Sequence, residues 1–225
     1  MTNQPFRILG IAGSVRRGSY NRGLLRAARA DAPDGVDIGE LDLATIPIFN
    51  EDVEAQGDPP SVRLLKEQIR AADALLIAAP EYNYSIPGVL KNAIDWASRP
   101  PRDSPLRHKP IALMGASPGG FGTVRSQLAL RQVFVFTKSY VLLEPEVHVS
   151  AAGDKFDAEG HLTDGTTRQN VRALVLALVE WARLLRPEWY DRSRPDARWQ
   201  ALREVPSVHG TRLHEHVPQG TRPTQ

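Results

Sequence analysis

Three short segments of this 225-residue chain concentrate glycine, hydroxyl, amide and guanidinium groups just where an apolar run gives way to a segment of helical period. The first is Gly13-Ser-Val-Arg-Arg-Gly-Ser-Tyr-Asn21. The start of a helix presents unpaired backbone N–H groups and the positive end of the helix dipole, so an anion is favoured there. Ser14, Ser19 and Asn21 add neutral donors and Arg16 a charged one, a set that suits a phosphate ester. Gly10, Gly13 and Gly18 have the wrong spacing for G-x-G-x-x-G, and the loop lacks the Gly-Lys-Ser/Thr of a Walker loop. The second segment, Pro80-Glu-Tyr-Asn-Tyr-Ser-Ile-Pro-Gly88, is bracketed by prolines that fix its shape. Tyr82 offers a ring there, and Asn83 an amide that both donates and accepts, which suits the edge of a planar heteroaromatic group. The third, Ser117-Pro-Gly-Gly-Phe-Gly122, carries three glycines, whose bare backbone lets amides approach a flat ligand. Each has a plainer reading: a polar turn with arginines in solvent, an aromatic loop packed on its own domain, a simple turn.

The elements around these loops alternate between strand and helix, the sequence form of βαβ units around a parallel sheet. Arg7 to Ala12 reads as a first strand, followed by a helix from about Asn21 to Ala30, and Val36 to Leu43 as a second strand. Asp58 before Pro59 predicts a capped helix running to about Arg70. Ala74 to Ala79 is continuously apolar, as a strand covered on both faces must be, and Pro80 stops it. A helix over Pro87 to Ala97 follows, then a fourth strand over Ile111 to Ala116. The helix from about Thr123 to Lys138 carries Val133-Phe-Val-Phe136, apolar all round, which predicts a subunit interface. A fifth strand is expected within Val141 to Val149, and Asp164 is expected to cap the last long helix. Open parallel sheets bind ligands beyond the carboxyl ends of their strands, and the three loops follow strands one, three and four.

After Pro187 the composition shifts to Arg, Pro and His. The expected organisation is one domain over residues 1–187 and an irregular extension over 188–225. The chain has no cysteine, which excludes disulfides, thiolate nucleophiles, Cys-ligated zinc and iron–sulfur clusters, so redox chemistry requires a bound cofactor. A formal charge of +2 with no Lys/Arg-rich block argues against a nucleic-acid partner. Neither a signal-peptide pattern nor a membrane-length apolar run is present, so a cytoplasmic protein is expected. Lys91 and Asp95 read as a structural ion pair and Trp96 as an interface residue; Tyr84, Arg125 and Glu146 are candidates for a contact between subunits. His214-Glu-His216 is at most an adventitious metal binder, and no metal site is assigned.

Gly13-Ser-x-Arg-x-x-Ser-x-Asn21, Pro80-Glu-Tyr-Asn83 followed by Ile86-Pro-Gly-x-Leu-Lys-Asn-Ala-Ile-Asp-Trp96, and the glycine-rich loop leading into Arg125 stand in order at the proper spacing. On these motifs, from about Arg7 to Pro187, the chain resembles the NADPH-dependent FMN reductase family, the flavodoxin-like group that includes bacterial quinone, chromate and azo-dye reductases. The resemblance implies a three-layer α/β fold, a five-stranded parallel sheet in the order 2-1-3-4-5 with helices on both faces. It places the FMN phosphate at Ser14, Arg16, Ser19 and Asn21. The isoalloxazine and ribityl contacts fall on Pro80, Glu81, Tyr82 and Asn83, with Ser117, Gly119, Gly120 and Phe121 beside the ring. NADPH or NADH would be the hydride donor in a two-step cycle, a quinone, azo compound, metal oxyanion or free flavin the acceptor, and a homodimer or homotetramer the assembly. No side chain is singled out as a general acid or base, since a flavin performs the hard chemistry itself. A flavodoxin-type electron carrier without NAD(P)H activity is the alternative, weakened by the lack of an acidic docking charge; a flavin-free binding protein ranks below it.

Overall fold

The computed structural model describes residues 5–185. β1 (Phe6–Ala12), β2 (Val36–Leu41), β3 (Ala74–Ala78) and β4 (Pro110–Ala116) pair in parallel, in the order β2-β1-β3-β4. β3 and β4 are buried at every residue, which explains their unbroken apolar sequences. Side chains alternate faces along them. Ala74, Leu76, Ala78, Ala112 and Met114 enter one core, and Leu75, Ile77, Ile111 and Leu113 enter the other.

The two cores lie under two helical layers. α1 (Tyr20–Ala30) and α6 (Gly165–Leu184) close the first, through Leu24, Leu25, Ala28, Val171, Leu174 and Leu178. α3 (Pro60–Ala71), α4 (Gly88–Ala97) and α5 (Val124–Thr137) close the second, while α2 (Glu51–Glu54) is a single turn capped by Asn50. This is the flavodoxin-like three-layer arrangement. β1 lies between β2 and β3, so the strand order reverses beside it, and open parallel sheets bind their ligands beyond the carboxyl ends of the strands at such a point. The loops after β1, β3 and β4 all emerge at that end. No helix among the described residues is long and apolar enough to cross a membrane.

Several local expectations change. The fifth strand is interrupted: β5 (Tyr140–Val141) pairs with Pro110 and Ile111, and β6 (Val147–Val149) with Met114 to Ala116. Pro145 between them has no N–H to donate to the ladder, and an edge strand tolerates the break. Asp58 does not cap α3. Pro59 stands at the N-cap, and both Asp58 carboxylate oxygens lie 2.7 Å from Lys66 Nζ, on a side chain only 4% exposed. A buried ammonium without its counter-ion costs far more than an open helix end facing water. Trp96 is a core residue, fully buried, with its indole N–H donated to the Pro47 carbonyl, so it is not on an interface. Lys91 and Asp95 do pair, at 2.6 Å. The apolar run in α5 divides: Phe134 is fully buried, while Val135 and Phe136 are each 77% exposed. The extension over 188–225, with His214 and His216, lies outside the described residues.

Candidate functional site

At the carboxyl end of β1 the chain must leave hard against its neighbour. A Cβ on Gly13 would lie 3.0 Å from Pro80 Cδ and 3.1 Å from a Leu90 methyl, so the glycine lets the first loop begin beside the second. Ser14 and Ser19 are buried, at 5% and 3% exposure, whereas Arg16 is exposed, its guanidinium 5.9 Å from the Tyr20 ring centre. Ser19 occupies the N-cap of α1, yet its side chain makes no capping hydrogen bond. The first-turn N–H groups of α1 are thus left without a side-chain acceptor from the cap, beside two hydroxyls and a guanidinium.

The second loop is a tight turn. Tyr82 and Ser85 exchange backbone hydrogen bonds of 3.1 and 3.0 Å, and the two residues between them, Asn83 and Tyr84, have φ of 50° and 64°. Asparagine tolerates the left-handed region; tyrosine there costs roughly 1 kcal/mol or more, and such strain tends to be retained at functional sites. The turn holds Tyr82 half exposed and Tyr84 71% exposed. Pro80 itself is buried.

The third loop depends on a glycine inside β4. A Cβ on Gly115 would lie 2.0 Å from Thr123 Oγ1 and 2.4 Å from the Ala79 carbonyl. Thr123, with φ of 72°, uses that space, and α5 consequently starts without a cap from its own N-cap residue. Ser117 donates its N–H to the Val149 carbonyl and accepts from the Gly119 N–H through Oγ at 3.1 Å. Gly119 and Gly120 have no left-handed φ, and a Cβ on Gly120 would meet nothing within 4 Å. The chain itself gives no steric reason for glycine there. What the two residues leave is exposed backbone over which a flat group can lie.

Three ties sew the loops together. Tyr82 Oη lies 3.3 Å from Ser14 Oγ. The Asn21 amide donates to the Ala116 carbonyl and accepts from the Ala116 N–H, both at 3.0 Å, joining α1 to the end of β4. Glu81 accepts from Arg125 Nη1 at 2.7 Å and from the Arg125 N–H at 2.9 Å, joining the second loop to the start of α5. Ser14, Arg16 and Ser19 therefore stand at one end, and Pro80, Tyr82, Asn83, Ser117, Gly119, Gly120 and Phe121 line the other two loops. Asn21 and Glu81 are in the same place, but their polar atoms are engaged with protein. Arg125 stacks on Tyr84 within the chain, 3.9 Å from the ring centre, while Glu146 pairs with Arg131 and His148 instead.

The sequence reading did not single out Gly115 and Thr123, although a lone glycine inside an apolar strand signals a close approach. Chemically, the arrangement has anion-binding donors at one end, exposed glycine backbone and a rigid aromatic turn at the other, and its loop carboxylate already paired. Such a set can bind and orient a group that carries its own chemistry. The donors at the uncapped α1 start suit a phosphate, and the open Gly119–Gly120 backbone suits a flat ring, the two chemical ends of a flavin mononucleotide.

The chain is similar to proteins of known family. A family model described as NADPH-dependent FMN reductase matches residues 6–154. An NAD(P)H-dependent FMN reductase of Pseudomonas aeruginosa is 53% identical over 184 residues, covering 82% of this chain and 99% of that protein. An NAD(P)H:quinone oxidoreductase of Solanum tuberosum is 46% identical over 185 residues, covering 79% and 94%. Among solved structures, a flavoenzyme NAD(P)H:(acceptor) oxidoreductase of Paracoccus denitrificans superposes with a TM-score of 0.72 at 32% identity, covering 79% of this chain and 97% of its own.

Proposed function

The chain belongs to the NADPH-dependent FMN reductase family, and on that premise we propose that it reduces quinone-type or flavin acceptors in two separate half-reactions on one site. Its cofactors are FMN and NAD(P)H. The observation that carries the reading is the meeting of the three loops: an uncapped helix start with Ser14, Ser19 and Arg16 at one end, and bare glycine backbone beside a fixed aromatic turn at the other.

Arg16, Ser14, Ser19 and the first-turn N–H groups of α1 hold the phosphate, the charge-assisted bonds being the stronger ones. Tyr82, Asn83 and the Gly119–Gly120 backbone set the ring's orientation, with Pro80, Ser117 and Phe121 at its border. Asn21 and Glu81 contribute by fixing the walls. FMN held by these residues would supply the two-electron chemistry that links nicotinamide to acceptor. Gly120 and the exposed Tyr82 leave one approach open, so donor and acceptor use it in turn, which accounts for a two-step cycle. Such an approach also admits azo compounds and metal oxyanions. Leu128, Val135 and Phe136, all exposed on α5, supply an apolar stripe for self-association as a homodimer or homotetramer. The cytoplasm, where NAD(P)H is made, is the matching compartment.

An anaerobic visible spectrum of FMN-loaded protein, before and after NADPH or NADH, tests this. Rapid loss of the flavin band is expected, and the faster nucleotide names the donor. Unchanged oxidised flavin would replace the reductase by an electron carrier.

A further inference from the structure

The start of α5 is finished by a residue that does not belong to it. Its own N-cap, Thr123, makes no capping bond, because the side chain fills the space over Gly115 and meets Gln127 Nε2 at 3.2 Å. The Glu81 carboxylate, 9% exposed and 44 residues earlier in the chain, takes that place. One oxygen accepts the Arg125 N–H at 2.9 Å and lies 3.4 Å from the Ser126 N–H; the other accepts Arg125 Nη1 at 2.7 Å. An anion at a helix N-terminus is favoured by the dipole, and a charged acceptor strengthens each bond.

Arg125 then extends the tie. Its guanidinium carbon lies 3.9 Å from the Tyr84 ring centre and 4.2 Å from that of Phe121, one ring from each of the two loops. Both rings are mostly exposed, at 71% and 64%, so no surrounding core holds them. Tyr84 also sits at a left-handed φ of 64°, a conformation that persists only where neighbours hold it. Glu81, Arg125, Tyr84 and Phe121 thus form a chain of contacts across the mouth between the second and third loops.

We infer that Glu81 and Arg125 are positioning residues, a latch that fixes the spacing between the Tyr82–Ser85 turn and the Gly119–Gly120 backbone and so sets how tightly a planar ring is gripped. Glu81 neutralises Arg125 and aims its flat face at the two rings; neither side chain contacts the ring. The inference rests on the function proposed above for its ligand, FMN, and adds the residues that shape its site.

A double-mutant cycle with Glu81→Ala, Arg125→Ala and the pair tests it, reading the dissociation constant for FMN by quenching of flavin fluorescence. Each single substitution is expected to weaken FMN about tenfold, and the pair no more than either alone, because both remove one latch. Glu81→Gln, which keeps the shape and loses the charge, serves where the alanine variant folds poorly; Arg125→Lys, which keeps the charge and loses the planar stack, is expected to restore affinity only in part. Without any ligand, amide exchange at Arg125 and Ser126 is expected to speed up in the Glu81 variants while that of α1 stays unchanged. Additive losses, unaltered affinity, or unchanged exchange at these two amides would overturn the latch. Wild-type protein that takes up no FMN while showing the faster exchange in the variants would instead overturn the function and leave the latch standing.

Discussion

Two helices begin at the same edge of the sheet and are finished in opposite ways. α1 starts at Ser19, whose side chain does not cap it, next to buried Ser14 and exposed Arg16. α5 starts at Thr123, which does not cap it either, yet Glu81 crosses from another loop to supply a carboxylate. The physics at both ends is the same, an array of N–H groups with a positive field. Where the protein supplies the anion, the helix end becomes structure; where it supplies only further donors, the end stays open, the place proposed above for the FMN phosphate. α6 is a third case, in which its own Asp164 accepts from Thr167 N–H at 2.8 Å. α3 and α4 also start without a side-chain cap, at Pro59 and Pro87, so what marks α1 is not the open end alone but the Ser14 and Ser19 hydroxyls and the Arg16 guanidinium gathered beside it.

The sharpest way to break this contrast is Gly115→Ala. The new methyl would sit on Thr123 Oγ1 and the Ala79 carbonyl, in a strand with no freedom to move. A loss of about 3 kcal/mol is expected in urea unfolding, with the start of α5 disturbed and that of α1 spared. Asn21→Ala comes next. It leaves the Ala116 N–H and carbonyl without their partner, at a cost of about 2 kcal/mol in the ligand-free protein. Were the unfolding midpoint unchanged and only FMN binding weaker, Asn21 would be a ligand contact rather than a brace.

Arg16→Ala addresses the open end alone. FMN affinity is expected to fall about tenfold, which is about 1.4 kcal/mol, with riboflavin binding unaltered because it has no phosphate. Equal losses for both ligands would move Arg16 away from the phosphate. The smallest effect concerns the self-capped helix. Thr167, through its hydroxyl and its N–H, holds the Asp164 carboxyl below its ordinary value. The resulting stability is present above the unfolded carboxyl's pKa, near 4, and disappears as pH falls through the lowered folded value. Thermal melts from about pH 5 to about pH 3 should therefore lose more for wild type than for Asp164→Asn, which keeps an acceptor and does not titrate.

Much of the fold was legible in the sequence because its signals are local. Unbroken apolar runs marked β3 and β4, since a strand covered on both faces has no polar side, and Gly13, Pro80 and Ser117 marked where β1, β3 and β4 end. The loops after β1, β3 and β4 followed from that. The start of α3 was misread because two signals competed. Asp58 is a good cap by type, but Lys66, eight residues on, is buried and holds the carboxylate. The Val133–Phe136 run is apolar throughout, and only packing distinguishes Phe134 in the core from Val135 and Phe136 on the surface.

By itself, then, the sequence determined the alternation of strand and helix, the strand ends, and the residue types gathered at each loop. All of these are set by periodicity and by the backbone preferences of glycine and proline within a few residues. Only the tertiary structure decided which polar groups are free. Asn21 meets Ala116 across 95 residues and Glu81 meets Arg125 across 44, so nothing near either position records that its hydrogen bonds are already made. A side chain's availability to a ligand is a property of what else reaches it, and in this fold that is settled by which strands lie side by side.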